Sequence, residues 1–372
     1  MIIGIDGNEA NVEKKVGVSV YCFELLNYFR KNSSPDNQFV IYLKKNPRKE
    51  LPKENNYFKY RVIKGNYLWS QIFLPVNLCF RKEIDVFFSP AHYSPRFCPV
   101  PLIVTIHDLS YFYYPNEFLK KDLYQLKNWT KYSVKNARKI IAVSKTTKKD
   151  LMKFYDTPEE KIEVIYNGYQ KNIKYQITNI KKINKVQKPY LLYVGTIQPR
   201  KNLETLIEAF YLLLKEKPEY SLVIVGKKGW LYEKIFANVG NRHACSLQNK
   251  IIFTGYVDNN TLASLYKNAR VFVLPSFYEG FGIPILEAMS FNCPVISSFT
   301  SSLPEIGGNA CLYFDPTSVA DLQDKILQLL ENEGLKNELV KKGKERVKLF
   351  SWKKCGEETL KVITSAMEKL RG

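Results

Sequence analysis

The sequence predicts an α/β protein built from two doubly wound, Rossmann-like domains that face a central cleft. Short β-rich runs alternate with helical stretches in both halves of the chain, which is typical of parallel sheets. A polar, basic segment with little pattern, QKNIKYQITNIKKINKVQK, separates the two halves. A chain of 372 residues is also longer than one hydrophobic core usually supports. We therefore expect a first domain at 1–169, a linker at 170–188 and a second domain at 189–351.

The first half contains six candidate strands with helical stretches between them. The strands are IIGID (2–6), FVIYL (39–43), DVFFS (85–89), LIVTIHD (102–108), KIIAVS (139–144) and EVIYN (163–167). The main helical stretches are 17–30, 69–82, 117–137 and 145–155. Ligands of such sheets bind beyond the carboxyl ends of the strands, so the loops that follow the strands should hold the functional residues.

The second half repeats this arrangement with five candidate strands. They are YLLYVGT (190–196), YSLVIVG (220–226), KIIFTG (250–255), RVFVLPS (270–276) and CPVISS (293–298). Helices are expected at 202–215, 260–268, 284–291 and 318–332. If the carboxyl edges of the two sheets face each other, their loops line one shared cleft.

The stretch SFYEGFGIPILEA follows one of these strands and carries two glutamates, two glycines and a proline. Pro284 suits the first turn of a helix, and Gly280 and Gly282 allow a ligand to approach the backbone closely. The free N–H groups at the start of that helix favour a phosphate. Glu279 and Glu287 could pair with sugar hydroxyls. Alternatively, Glu279 is a solvated loop residue and Glu287 an ordinary acidic residue near a helix start.

The segment VGTIQPRKNLETLIEAF again has the pattern of a strand, a loop and a helix. Asn202 is a candidate N-cap of that helix. Arg200 and Lys201 place two cations at the positive end of the helix dipole, which costs roughly 0.3–1 kcal/mol each unless an anion compensates. A bound diphosphate would reverse this cost, and arginine can bind it through two parallel hydrogen bonds. The alternative is that both side chains are exposed and screened by solvent.

Two of the three histidines lie near the ends of first-half strands: His107 closes one strand, and His92 lies in the loop after another. His107, in IHDL, could donate a hydrogen bond to a sugar hydroxyl, although a core histidine has the same signature. His92, in SPAHYSPR, could touch substrate or hold its loop in place. His243 lies in a polar loop, and we assign it no role. Gly17, at the start of the first helix, would let backbone amides approach a phosphate or an acceptor.

The motifs that the chain lacks exclude several kinds of site. It has no Asp-x-Asp for a metal-held diphosphate, no G-x-x-x-x-G-K-[ST] and no H-E-x-x-H. Its seven cysteines are dispersed without a C-x-x-C, which is typical of reduced thiols and does not predict a zinc site. We therefore expect neither a metal nor a cofactor.

The net charge of +20 lies mainly in the first half of the chain. Residues 1–188 hold 33 Lys and Arg against 17 Asp and Glu, whereas residues 189–372 hold 23 against 19. An anionic partner such as acidic lipid head groups, a phosphorylated acceptor or nucleic acid would explain this charge, and so would a solvated surface. The basic clusters KKNPRKELPK and 120–153, with the aromatics of 111–114 and Trp129 nearby, are the candidate membrane surface.

These motifs together resemble those of retaining nucleotide-sugar glycosyltransferases of the GT-B fold, of the bacterial family 4 type, which includes mannosyl- and glucosyltransferases of surface polysaccharides. The resemblance runs nearly from end to end. It rests on EGFGIPILE with its E-x(7)-E spacing, VGTIQPRKNLETLIEAF, FTGYVDNNTLASLY, VTIHDLSYFYYPNEF, and IIAVSKTTKKDL with VIYNGY.

The resemblance implies roles for particular residues. Those implied to hold the donor diphosphate and the transferred sugar are Arg200, Lys201, Glu279, Gly280, Phe281, Gly282 and Ile283. Those implied to contact the nucleoside are Glu287, Gly255, Tyr256 and Val257. Those implied to line the donor site elsewhere are His107, Gly17, Ser144, Asn167, Gly195 and Gly226. The implied catalytic residues are Glu279, His107, Arg200 and Lys201. The last helix, within 352–372, is implied to pack back on the first domain.

The implied reaction is metal-independent transfer of a hexose from a nucleoside-diphosphate sugar, of the GDP-mannose or UDP-glucose type, to a saccharide or lipid-linked acceptor. A sugar-nucleotide epimerase or a phosphorylase on the same fold is an alternative, and a basic nucleic-acid-binding protein, for which no recognition motif is present, is a remote one. MIIGID lacks the basic start of a signal peptide, and no apolar stretch could span a bilayer. We expect a cytoplasmic protein with peripheral contact to an anionic membrane surface.

Overall fold

The computed structural model describes residues 1–65, 68–169, 186, 189–233 and 250–368. The chain divides into two compact units, Met1–Gly168 with Phe350–Gly372 (unit 1) and Tyr169–Leu349 (unit 2). The expected linker at 170–188, apart from position 186, and His243 lie outside the described residues.

Unit 1 contains a parallel sheet of seven strands. They are β1 (Ile2–Asp6), β2 (Gln38–Leu43), β3 (Phe58–Val62), β4 (Val86–Ser89), β5 (Leu102–Ile106), β6 (Lys139–Ala142) and β7 (Ile162–Val164). Their order in the sheet is β3-β2-β1-β4-β5-β6-β7. Each neighbouring pair is parallel. The order reverses between β1 and β4, which is the switch point of a doubly wound sheet.

The helices of unit 1 cover both faces of this sheet. They are α1 (Val18–Lys31), α2 (Leu74–Arg81), α3 (Ser110–Tyr113), α4 (Lys120–Asn136), α5 (Lys145–Tyr155) and the C-terminal helix (Trp352–Glu368). Ile3, Ile5 and Phe88 belong to a buried cluster that α1 and the C-terminal helix share. Phe87, which precedes Phe88 in β4, and Val104 of β5 belong to a second buried cluster on the other face of the sheet. Burial on both faces explains the continuous apolar runs of these strands.

Unit 2 contains a parallel sheet of six strands. They are β8 (Tyr190–Val194), β9 (Ser221–Val225), β10 (Ile251–Gly255), β11 (Val271–Leu274), β12 (Val295–Ser298) and β13 (Cys311–Phe314). The order β10-β9-β8-β11-β12-β13 has its switch point between β8 and β11. The helices described in this unit are α6 (Leu203–Glu216), α7 (Asn259–Asn268), α8 (Ile283–Ser290), α9 (Leu303–Gly307), α10 (Val319–Glu331) and α11 (Glu333–Arg346). Across the described part of the chain, no helix is long and apolar enough to cross a bilayer.

The structure confirms the α/β class and corrects several elements. Two edge strands were not predicted: β3 has the polar sequence FKYRV with a partly exposed pattern, and β13 has only four residues. The helix expected at 69–82 begins with a π-helical turn (Trp69–Phe73) before α2. Helix α4 begins at Lys120 rather than near 117.

The predicted aromatic part of a membrane surface is wrong for Tyr111, and two of its other residues pack against neighbouring rings. Tyr111 is only 1% exposed. Phe112 stacks on Phe154 with ring centroids 4.3 Å apart, and both belong to the packing of unit 1. Trp129 likewise packs edge-on against Tyr93.

The C-terminal helix is tied to unit 1 by close packing at two glycines. A Cβ on Gly356 would lie 2.3 Å from Cγ of Tyr28 on α1, and a Cβ on Gly168 would lie 2.2 Å from the backbone nitrogen of Trp352. Cys355 and Ile363 of this helix are fully buried. The C-terminal helix is therefore part of the core of unit 1.

Replacing Gly356 by Ala should lower the melting temperature, because the added methyl group overlaps the ring of Tyr28. Overpacking of this kind costs roughly 1–3 kcal/mol, which exceeds the gain of about 1 kcal/mol from replacing glycine in a helix. Thermal unfolding of the purified variant measures the effect. The control is Gly334→Ala in α11, where the nearest atom, Oδ1 of Asn332, is 3.2 Å away. Wild-type stability of Gly356→Ala would contradict the described packing of this helix.

Candidate functional site

The loops that the sequence singled out in unit 2 meet at the switch point of its sheet. Strand β8 leads into the loop with Arg200 and Lys201, and β11 leads into the loop with Glu279. These strands are hydrogen-bonded neighbours, and the connections that follow them leave toward opposite faces of a doubly wound sheet. The crevice that such a reversal opens lies beside both loops.

Lys201 and Glu279 form an ion pair across this switch point. The Nζ atom of Lys201 lies 2.5 Å from Oε1 of Glu279, and each side chain is only 13% exposed. The hydroxyl of Ser276 donates a second hydrogen bond of 2.7 Å to the same oxygen. Charge-assisted hydrogen bonds in such a partly buried place are stronger than those on the surface. The alternative that Glu279 and Lys201 are solvated loop residues is therefore wrong.

The electrostatic surroundings keep Glu279 ionised. Burial alone would raise the pKa of its carboxyl group, but the charges of Lys201 and Arg200 and the hydrogen bonds from Lys201 and Ser276 outweigh burial and hold the pKa below its ordinary value. At neutral pH this carboxylate is consequently a hydrogen-bond acceptor and not a proton donor.

Arg200 connects the same two loops through both its backbone and its side chain. Its Nη1 donates to the carbonyl oxygen of Tyr278 at 2.8 Å, and its own carbonyl oxygen accepts from the N–H of Phe277 at 3.0 Å. Its Nε is buried and has no hydrogen-bond partner among the described residues. A buried donor without a partner is costly, and an anionic ligand would satisfy it.

Asn202 does not act as the predicted N-cap. Its backbone is left-handed, with φ of 54°, and its side chain makes no capping hydrogen bond to α6. Its Nδ2 instead donates to the carbonyl oxygens of Pro275 (3.1 Å) and Pro316 (2.8 Å). Asparagine adopts this backbone region more readily than most residues, and here it fixes the loop before α6 against the end of β11.

The loop between Glu279 and α8 is held by two serines that the sequence analysis missed. Ser301 accepts a hydrogen bond from the N–H of Glu279 at 2.9 Å. The hydroxyl of Ser302 contacts the carbonyl oxygens of Glu279 (2.8 Å) and Phe281 (3.0 Å). Gly282 has a φ of 102°, which favours glycine, immediately before α8. The signal for the serines was available, since they follow the predicted strand CPVISS at the same edge of the sheet.

Glu287 lies in α8 with its side chain inside unit 2. Its Oε2 accepts a hydrogen bond of 3.1 Å from the hydroxyl of Tyr266 on α7. Burial raises the pKa of its carboxyl group, and the hydrogen bond from Tyr266 partly opposes that increase. Glu287 lies beyond the first turn of α8, so it is not the ordinary acidic residue at a helix start of the alternative interpretation. Tyr266 is a further residue that sequence reasoning missed, because nothing in its local pattern points to Glu287.

Gly195, Gly226 and Gly255 bring the ends of three neighbouring strands into backbone contact. The N–H of Gly195 bonds to the end of β9 at 2.9 Å, and the N–H of Gly226 bonds to the carbonyl oxygen of Gly255 at 3.0 Å. A Cβ on Gly226, whose φ is 147°, would lie 1.9 Å from the oxygen of Gly195. Tyr256, which is 45% exposed, and the half-buried Val257 follow at the end of β10.

Unit 1 places two histidines together at the carboxyl edge of its own sheet. The rings of His92 and His107 have centroids 5.6 Å apart, and Nε2 of His107 lies 2.8 Å from the carbonyl oxygen of Pro90. Burial, together with His92, lowers the pKa of His107 to about 3, so the imidazole is neutral at physiological pH. Nδ1 of His92 is buried without a hydrogen-bond partner among the described residues, and the backbone of His92 is left-handed, with φ of 41°.

The other predicted residues of unit 1 lie in loops at the same edge or at the start of α1. Ser144 caps α5, because its hydroxyl oxygen accepts from the N–H of Thr147 at 3.1 Å. Asn167 is 4% exposed, and its Oδ1 has no partner within the described residues. Gly17 precedes α1 with φ of 50°, and no atom lies within 4 Å of the position of a Cβ there.

Two family models match the chain, one over each half. The model described as Glycosyl transferases group 1 matches residues 169–346. The model described as Glycosyltransferase Family 4 matches residues 16–171. The two matches overlap at 169–171 and together leave only residues 1–15 and 347–372 unmatched.

Individual relatives agree with these family matches. The O-antigen chain mannosyltransferase B of Escherichia coli is 31% identical over 283 residues, covering 74% of this chain and 73% of that protein. Sucrose-phosphate synthase from Thermosynechococcus elongatus has a similar structure, with a TM-score of 0.79 over 99% of both chains at 19% identity. HepE from Anabaena, solved with UDP and glucose, has a TM-score of 0.74 over 98% of this chain and 99% of its own at 16% identity. The chain belongs to the glycosyltransferases of the family 4 type and has the GT-B fold.

Replacing Lys201 by Met should lower the free energy of unfolding by about 3 kcal/mol, because the carboxylate of Glu279 is left buried without its counter-charge. The double variant Lys201→Met with Glu279→Gln should recover most of this loss. Chemical denaturation of both variants and the wild type measures the two values. Lys342→Met, which removes a surface pair with Glu338, is the matched control and should change stability by less than about 1 kcal/mol. Equal losses in the single and double variants would show that the pair does not carry this energy.

Proposed function

We propose that the chain is a retaining hexosyltransferase of surface polysaccharide synthesis. It transfers a hexose from a nucleoside-diphosphate sugar, of the GDP-mannose or UDP-glucose type, to a saccharide or lipid-linked acceptor. The observation that carries this proposal is the buried pair of Lys201 and Glu279 beside Arg200 at the switch point of unit 2. This group of residues places two cations, which can bind a diphosphate, next to a fixed carboxylate, which can bind sugar hydroxyls.

Arg200 and Lys201 bind the diphosphate of the donor in this proposal. The ammonium group of Lys201 contacts Glu279 at 2.5 Å and supplies positive charge beside the diphosphate. The unpartnered Nε of Arg200 gains a phosphate oxygen as its acceptor. Backbone N–H groups at the start of α8 add partial positive charge. Negative charge grows on the leaving diphosphate in the transition state, and removing one donor aimed at such charge typically lowers the rate about 10²–10³-fold.

Glu279 and its backbone segment to Ile283 orient the transferred sugar. The carboxylate is ionised and immobilised by Lys201 and Ser276, so it accepts hydrogen bonds from sugar hydroxyls without rearranging. We assign no covalent nucleophile. The acceptor hydroxyl attacks the anomeric carbon from the side of the leaving group, the bond to the diphosphate breaks, and the hydroxyl proton passes to a donor phosphate oxygen. The product therefore keeps the anomeric configuration of the donor.

Glu287 binds the ribose of the donor, and the turn Gly255–Val257 lies against the base. The hydrogen bond from Tyr266 holds the carboxyl group of Glu287 in one orientation. For unit 1, His107 remains the predicted contact to a sugar hydroxyl, and Ser144, Asn167 and Gly17 remain predicted donor-binding residues. A neutral imidazole, as the lowered pKa of His107 requires, can both donate to and accept from hydroxyl groups.

Similarity to an O-antigen mannosyltransferase favours GDP-mannose as the donor and a growing surface polysaccharide as the acceptor. The excess of basic residues in the first half of the chain supports a cytoplasmic enzyme that contacts the anionic inner face of the membrane.

Thermal-shift measurements against a panel of sugar nucleotides test the identity of the donor. Release of free nucleoside diphosphate coupled to consumption of the acceptor separates a transferase from an epimerase.

Glu279→Gln should keep the fold and lower the rate of transfer by about 10²–10³-fold, because the carboxylate no longer anchors the sugar or balances Lys201. Steady-state kinetics with the sugar nucleotide identified by thermal shift measure this change. The matched control is Glu338→Gln, whose side chain is 55% exposed and should leave the rate unchanged. Full activity of the purified Glu279→Gln enzyme would remove this residue from the site.

Transfer should survive treatment with EDTA, because the sequence has no Asp-x-Asp motif and Arg200 with Lys201 can neutralise the diphosphate. The measurement compares rates in metal-free buffer with rates after adding Mg²⁺ or Mn²⁺. Changes of less than about twofold are expected. Strict dependence on either cation would overturn the metal-independent mechanism.

A further inference from the structure

A row of apolar side chains is exposed along one face of the π-helical turn and α2. Ile72, Phe73, Val76 and Phe80 recur at the spacing of one helix face and are between 41% and 85% exposed. Phe80, at 85%, is the most exposed of the large apolar side chains in the described residues. We call these four residues the apolar stripe.

The opposite face of the same helix already attaches it to unit 1. Leu74 and Leu78 are buried in the cluster that contains Phe87 of the central sheet. The apolar stripe is therefore not needed to hold α2 in place. A helix that is apolar on both faces normally lies inside a protein or against a second apolar phase.

Phe97 adds to this exposed surface from a neighbouring loop. The backbone N–H of Arg96 donates to the carbonyl oxygen of Ser70 at 3.2 Å, which holds the loop against the start of the π-helical turn. Phe97 is 68% exposed. Single exposed apolar residues are ordinary, whereas a group of five side chains on adjacent segments indicates an interaction site.

The chain around the apolar stripe is cationic. Between positions 55 and 82 the sequence has five Lys and Arg residues and no Asp or Glu. Arg81 and Lys82 directly follow the stripe and are exposed. The next acidic residue, Glu83, forms ion pairs with Arg61 and Arg81. Apolar surface and positive charge therefore occur together, which is complementary to an anionic lipid surface.

We propose that the apolar stripe and Phe97 dock this enzyme on an anionic membrane, with Arg81 and Lys82 contacting lipid phosphates. The inference deepens the proposed function, since a lipid-linked acceptor would be met at that surface.

The apolar side chains and the cations of this surface both contribute to membrane binding. Burying one phenylalanine side chain raises a partition coefficient by more than about tenfold, and each cation near an anionic surface adds a factor of about five. Stable membrane binding generally requires two signals, and this surface holds both an apolar and a cationic one. The cationic part weakens with salt as the Debye length shortens, whereas the apolar part does not.

The test is co-sedimentation of the full chain with vesicles of phosphatidylcholine alone and with added phosphatidylglycerol, at low and high salt. The wild type should pellet with the anionic vesicles. The variant Val76→Ser with Phe80→Ser should bind at least about tenfold more weakly at both salt concentrations. Arg81→Gln with Lys82→Gln should weaken binding mainly at low salt. Phe299→Ser in unit 2, where the phenylalanine is 66% exposed, is the matched control and should bind as the wild type does.

Two results would overturn the docking proposal: wild-type protein that stays in the supernatant with both kinds of vesicle, or a stripe variant that binds as tightly as the wild type. A dimer seen by size-exclusion chromatography and lost in the stripe variant would also overturn it, by assigning the stripe to self-association. Thermal shift by sugar nucleotides should be unchanged in the stripe variant, which shows that it folds. Vesicle binding without any sugar-nucleotide binding would refute the proposed function and leave the docking surface standing.

Discussion

The ion pair between Lys201 and Glu279 is the interaction on which the arrangement of the site depends. The two residues are 78 positions apart in sequence, and they meet because β8 and β11 are neighbours at the point where the strand order reverses. Parallel strands deliver both loops to one edge of the sheet. An unpaired charge in a place that is 13% exposed is costly, so each residue stabilises the other.

The surroundings of this pair reduce the cost of burying it. Ser276 donates to the carboxylate, while Ser301 and Ser302 hold the backbone of the same loop. Asn202, in its left-handed conformation, ties the loop before α6 to the end of β11. The result is a set of fixed charges and dipoles that exists before any ligand arrives. Preorganisation of this kind is what an enzyme needs to stabilise charge that develops on a leaving diphosphate.

Unit 1 has uncharged polar side chains at the edge of its sheet and apolar and cationic side chains on its outer helix. His107 is buried and His92 is half-buried, and burial lowers the pKa of both, so both are uncharged at neutral pH, which suits contacts with hydroxyl groups better than with phosphates. The outer surface of unit 1, in contrast, carries charge: the apolar stripe is followed directly by the exposed cations Arg81 and Lys82. Unit 1 therefore has a neutral, polar sheet edge and an outer helix that presents apolar side chains and cations.

The sequence by itself determined the α/β class, the two-part organisation and most strands, because apolar runs buried on both faces are visible as continuous stretches. It also determined which loops hold the candidate residues, since glycines and charges that follow such runs are local signals. Tertiary structure alone decided the partners: Lys201 with Glu279, Tyr266 with Glu287, and Ser301 with the backbone of Glu279. It also decided that Tyr111 is buried while Phe80 is exposed. The physical reason is that pairing and exposure depend on which strands become neighbours and which helix face meets the sheet, and neither is recorded in the local pattern of residues.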